Sequence, residues 1–161
     1  MMIIAVTGHQ RIPEEALPFV CAGMRSYLVS RLETSQSDAT LISCLATGAD
    51  QLVASTALEL GYRLRAMIPS RHYDSTFDVD GLSGYRSLLA RADETVTLDF
   101  DRPCEEAYMA AGLRLVDDCD ELLALWDGYP AAGLGGTGDV VAYARQSGRP
   151  VHVVWPTGVR H

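Results

Sequence analysis

The chain contains no lysine and no asparagine, and all 13 of its basic residues are arginine. Lacking lysine, it cannot form a Walker A phosphate loop, a Schiff base or a lysine general base. Lacking asparagine, it has no N-glycosylation sequon. Cys21, Cys44, Cys104 and Cys119 form no CxxC pair and show no metal-ligand spacing with His9, His72, His152 or His161. They read as reduced, mostly buried thiols, and no metal site is expected. There is no run of 18 apolar residues, and no charged-then-apolar leader precedes the first strand, so a cytoplasmic protein without a membrane partner is expected. Positive charge is also scarce. The formal net charge is −8 and the pI about 4.8, which makes bare nucleic acid an unfavourable main partner. A small anion is a different matter, because backbone amides and one or two arginines can hold it beneath an acidic exterior.

With 161 residues, 48% of them apolar, the chain has the size and composition of one globular domain. We expect a single unit over 1–161, with a core at 1–155 and a fraying tail at 156–161. Met2 to Val6 is a continuous apolar run broken at Thr7-Gly8-His9, as in a buried parallel strand. Pro13-Glu14-Glu15 suits a first helical turn, and Leu17, Val20, Cys21, Met24, Leu28 and Leu32 recur at helical spacing. Further strands are predicted at 40–45, 62–68, 95–100, 121–126 and 151–155, with helices between them. Residues 69–81 show no periodicity and read as a binding loop or lid. Strands alternating with helices give an α/β, Rossmann-like fold: a mostly parallel six-stranded sheet with helices on both faces. In such sheets ligands bind beyond the carboxyl ends of the strands, where strand order reverses.

Four loops after strands are therefore candidates for chemistry. In Thr7-Gly8-His9-Gln10-Arg11 the glycine lets the backbone approach a ligand and Arg11 offers a planar fork of donors; a tight turn with a surface arginine is the alternative. No GxGxxG follows this strand. In Ala46-Thr47-Gly48-Ala49-Asp50, Asp50 reads as the N-cap of the next helix, leaving Thr47 and Gly48 open to contact. Pro69-Ser70-Arg71-His72-Tyr73 is either a solvated loop or a lid presenting Arg71 and Tyr73. The most informative follows Trp126-Asp127-Gly128: in Gly133-Leu134-Gly135-Gly136-Thr137-Gly138-Asp139, four glycines among six residues lead straight into a helix. Free amides and the positive end of a helix make this an anion cradle. Asp139 either accepts ribose hydroxyls or supports the helix. Acidic clusters such as Asp99 with Asp101 read as solvated surface. His9 has no serine or cysteine motif to pair with, so a hydrolytic triad is not supported. Tyr108 reads as core or dimer surface.

Together VTGHQRI (6–12), LATGADQLVASTALELG (45–61), EEAYMAAGLRLVDDCDELLALWDG (105–128) and GLGGTGDVVAYARQSGRPVHVVWP (133–156) resemble the SLOG superfamily. That group unites the Lonely Guy enzymes, molybdenum cofactor carrier proteins and DNA-processing protein A. The resemblance implies a Rossmann-like fold, a homodimer, and a pocket for a nucleotide or nucleotide-derived molecule between the first loop and the glycine loop. We expect the amides of Gly135, Gly136, Thr137 and Gly138 to hold phosphate, Thr7, Gly8 and Arg11 to form the opposite wall, Thr47, Gly48 and Asp50 to shape the floor or reach the ribose, and His9, Arg71, Asp127 and Asp139 to complete the site. No cofactor is required; AMP, ADP-ribose or an NAD-like molecule is the expected occupant. The Lonely Guy motif PGGxGTxxE ends in a catalytic glutamate, and Val140 stands at its position here. A phosphoribohydrolase would then have to use Asp139 or Asp127 as its acid.

Overall fold

The computed structural model describes residues 1–130 and 133–161. In chain order it contains β1 (Met2–Gly8), α1 (Leu17–Thr34), β2 (Ala39–Ser43), α2 (Ala49–Leu60), β3 (Arg63–Ile68), α3 (Val79–Ala90), β4 (Glu94–Thr97), α4 (Glu105–Asp118), β5 (Glu121–Leu125), α5 (Thr137–Gln146) and β6 (Val151–Val153). The six strands form one sheet in the order β4-β3-β2-β1-β5-β6, and every pairing is parallel. Alternation within the strands sorts side chains to two faces. Ile4, Val6, Leu41, Leu64, Leu123 and Leu125 pack against α1, α2 and α3. Ala5, Ile42, Met67, Leu122 and Ala124 pack against α4 and α5. Central strands covered on both faces explain the unbroken apolar runs at β1, β2 and β5. The outermost strands, β4 and β6, are short and largely exposed.

Several boundaries differ from the sequence reading. Pro13 to Ala16 forms a turn, with Ala16 N–H donating to the Pro13 carbonyl at 2.9 Å, and α1 begins only at Leu17 with a proline in its first turn. Leu17 is consequently exposed rather than part of the buried stripe. Asp50 is not an N-cap: Gly48 holds that position, and Asp50 lies inside the first turn of α2. The stretch 69–81, expected as an aperiodic binding loop or lid, is partly regular. It contains a 3-10 turn at Tyr73–Thr76 and the start of α3, capped by the Asp78 carboxylate accepting from the Gly81 amide at 2.8 Å. β4 and β6 end earlier than expected because they lie at the sheet edges, where only one neighbour supplies ladder bonds. Cys119 is buried while Cys21, Cys44 and Cys104 are half-buried, so the thiols are less enclosed than composition implies. The segment after β6 folds back on the domain: Trp155 Nε1–H donates to the Val159 carbonyl at 2.6 Å, and Val159 packs on the core.

Candidate functional site

Chain progression reverses between β1 and β5, since β2, β3 and β4 extend the sheet to one side and β5 and β6 to the other. Beyond the carboxyl ends of these central strands lies a cavity of about 720 Å³, within the range of small-molecule sites.

Its walls are set by backbone packing. Gly8 leaves no room for a side chain: a Cβ there would overlap that of Ala49 and stand 2.8 Å from the Leu125 carbonyl oxygen. The next residue continues the ladder, His9 N–H donating to Leu125 O at 3.2 Å. Gly48 has φ +91°, and a Cβ on it would collide with the Gln10 carbonyl; beside it Ala49 N–H donates to His9 O at 3.0 Å. The first and second loops are thus locked to each other through main chain. At the end of β2, Leu45 adopts φ +57° and is fully buried, an uncommon conformation for a branched side chain. On either side of it Cys44 and Ala46 face the cavity.

Thr7, Gly8, His9, Arg11, Thr47, Asp50, Gly135, Gly136, Thr137 and Gly138 all line this one cavity. Arg11 forms no ion pair among the described residues and is the one guanidinium in the described lining. Four other expected residues lie outside the lining. Gly48 is turned into the loop junction. Arg71 is on the surface, 3.2 Å from Asp99 and 3.7 Å from Asp101, so it is no lid. Asp139 binds the Gly135 amide at 3.0 Å. Asp127 is sealed, its side chain only 1% exposed.

At the glycine loop, Gly135 has φ +84°, and a Cβ there would lie 2.7 Å from the Met109 amide nitrogen, so the loop rests directly on the α4 backbone. Gly136 is the N-cap of α5 and carries no side-chain cap. The Asp139 and Val140 amides donate to Gly136 O at 3.1 and 3.2 Å. Among the described residues, the amides of Gly136, Thr137 and Gly138 have no hydrogen-bond partner. Three donors at a helix start therefore line the cavity with no partner among the described residues. Val140 fits against Gly112 of α4.

The opposite end is protonatable. Among the described residues the Asp50 carboxyl accepts only the Ala46 amide, at 3.3 Å through Oδ2. Burial pushes it up to about 7, against the small opposing effect of that bond. Burial also raises the Cys44 thiol well above its usual range, with the Asp50 charge adding to it, and raises the Tyr73 phenol, with Cys44 and Asp50 as neighbours. Tyr73 is a wall residue, packed edge-on to Phe77 and Tyr85. Cys44, Phe77 and Tyr108 also line the cavity, and sequence reasoning missed them. Cys44 is the residue before the Leu45 kink, and nothing in the local pattern marks that kink. Tyr108 comes to the cavity because the glycine loop crosses α4 there.

At the strand crossover, His9 Nε2 accepts the Asp127 backbone N–H at 3.0 Å, which puts the ring proton on Nδ1. Burial, and then the neighbouring His161, lower the His9 pKa against the influence of Asp127. On Asp127, burial acts upward, but hydrogen bonds from the His161 ring and from the Tyr129 and His161 amides bring the carboxyl down to about 2. The ligand atoms of His9, Asp127 and His161 lie within 4.8 Å of one another. The trio does not fit a metal ion: the two imidazoles are stacked 3.6 Å apart with planes 4° from parallel, so one ion cannot lie in both ring planes, and His9 Nε2 is already an acceptor.

No protein-family model and no curated protein matches the sequence. Solved structures do. Over 94% of this chain, DNA processing protein A from Helicobacter pylori superposes with a TM-score of 0.67 at 16% identity, the match covering 64% of that chain. The Streptococcus pneumoniae protein of that name gives 0.64 at 16% identity and 50% coverage of its chain. A molybdenum cofactor binding protein from Rippkaea orientalis gives 0.56 at 17% identity and 75% coverage. The chain thus shares the Rossmann-like α/β fold of these structures, the fold that the motif resemblance implied, and spans about half to two thirds of the DNA processing protein A chains. No described helix is long and apolar enough to cross a membrane.

Proposed function

We propose that this protein binds a nucleotide or nucleotide-derived small molecule in the cavity at the β1/β5 crossover, with the ligand's phosphate on the amides of Gly136, Thr137 and Gly138 and Arg11 as counter-charge. The observation that carries this reading is the run of three amides at the start of α5 that have no partner among the described residues and line a cavity of nucleotide size. An oriented set of N–H groups at a helix start holds an anion without lysine, and this chain has none. A pocket on an acidic protein suits a small anion better than a polyanion. We therefore place single-stranded DNA, which the Helicobacter pylori protein binds, behind mononucleotides. A molybdenum cofactor, which the Rippkaea protein binds by name, would use the same amides if it presents an anionic group there. The reading includes a homodimer, which light scattering tests.

Thermal melting with AMP, ADP-ribose and NAD is the direct test. A ligand at 100 times its Kd stabilises the fold by about 2.7 kcal/mol. A shift with at least one of them supports the reading, and no shift with any of them overturns it.

A second reading, N-ribosidic hydrolysis, is favoured by one observation: a carboxyl in the cavity titrating near neutrality, the value a general acid needs. That group is Asp50. Asp139 and Asp127, the acids expected from sequence, are tied to Gly135 and His161. Release of free base from AMP, lost in Asp50→Asn, distinguishes hydrolysis from binding.

A further inference from the structure

His9 and Asp127 follow β1 and β5 on the two sides of the crossover, and both contact one residue of the segment after β6, His161. The His161 ring lies flat on His9, centroids 3.6 Å apart and planes 4° from parallel. Its Nδ1 stands 2.6 Å from Asp127 Oδ2, and its backbone N–H donates to the same oxygen at 3.2 Å. Asp127 Oδ1 is taken by the Tyr129 amide at 3.1 Å. The Asp127 side chain is thereby 1% exposed while that of His161 remains 47% exposed. A sealed carboxylate is thus covered by a half-exposed ring. The covering segment belongs to no helix or strand, and nearby the Arg160 guanidinium sits over the Tyr129 ring at 3.9 Å.

The arrangement has the chemistry of base recognition. A flat, nitrogen-bearing heteroaromatic ring stacks on an imidazole and directs N–H donors at a buried carboxylate. A nucleobase with an amino group offers the same face and the same donors. His161 also lines the cavity that the glycine amides line, so the ring and an incoming ligand compete for one space.

We propose that His161 is a self-occupant of the nucleobase subsite: an amino-bearing base stacks on His9 and donates to Asp127 Oδ2 in its place, while the phosphate goes to the amides at the start of α5. The inference rests on the nucleotide-binding reading and adds the base subsite and its built-in competitor. Competition has a quantitative consequence. If the ring occupies the subsite about nine-tenths of the time, the apparent Kd of a base-bearing ligand is about tenfold weaker than its intrinsic value. A ligand without a base does not meet the ring and is unaffected.

The test is calorimetric titration of the full chain and of His161→Ala with AMP and with ribose 5-phosphate. The expected result is AMP binding about tenfold tighter in His161→Ala, with ribose 5-phosphate affinity unchanged. The unchanged second affinity also shows that the variant remains folded. AMP affinity that is equal or weaker in the variant, or an equal gain for ribose 5-phosphate, overturns the base subsite and leaves the phosphate site standing. Failure of both proteins to bind either probe overturns the inference together with the reading beneath it.

Discussion

Asp139 Oδ2 accepts a hydrogen bond from the Gly135 amide at 3.0 Å, so the first turn of α5 pins the loop that introduces it. A carboxylate that would oppose a phosphate is held by the loop and does not line the cavity. Of the glycine-loop amides expected to hold an anion, Gly135 is spent internally, and Gly136, Thr137 and Gly138 remain. Asp139→Ala should free the Gly135 amide and loosen the loop. The expected cost is about 1 kcal/mol of unfolding free energy by urea titration, with weaker nucleotide binding although residue 139 touches no ligand. Asp139→Asn, which keeps an acceptor oxygen, should restore most of both.

Gly136 has φ −73° and ψ 173°, an extended conformation open to any residue. Gly136→Glu should therefore fold normally while placing an acidic side chain over the free amides. Calorimetry should show nucleotide binding abolished, with the melting temperature within a few degrees of the parent. Unchanged affinity would put the phosphate elsewhere.

Gly8 is the reverse case, because its lack of a side chain serves packing. A Cβ there meets Ala49 and lies 2.8 Å from Leu125 O, the backbone of the neighbouring strand. Gly8→Ala should destabilise the protein by about 1–3 kcal/mol, the range for overpacking a tight core, measured by urea unfolding.

Asp50 makes stability depend on pH. Its carboxyl titrates near 7 in the folded chain against an ordinary value of 3.8, so the folded state holds a proton that the unfolded state releases. Stability should fall as pH rises from about 4 to about 7 and level off above, a change of roughly 4 kcal/mol by linkage. Asp50→Asn still accepts the Ala46 amide and removes this dependence. Its stability relative to the parent should be greater at about pH 8 than at about pH 5. Parallel pH profiles for the two proteins would refute the assignment.

Much of the fold is legible locally. Apolar runs at β1, β2 and β5 mark strands covered on both faces, and the glycines before Thr137 mark a helix start with spare amides, because both signals depend on residues adjacent in the chain. The edge strands β4 and β6 are less legible, since their length depends on a single neighbour. The start of α1 is ambiguous in the sequence because Pro13 suits a turn as well as a helix.

What the sequence determined by itself is the alternation of strands and helices, the exclusion of lysine chemistry and the position of the glycine-led helix start at α5. Tertiary structure alone decided which polar groups meet. It moved Asp50 from a helix cap into the cavity, tied Arg71 to Asp99 and Asp101, sealed Asp127 under His161, and brought residues 9, 127 and 161 together. Residues 9 and 127 meet because β1 and β5 are paired in register, Gly8 opposite Leu125. Such proximity arises from sheet order and chain return, and no local pattern encodes it.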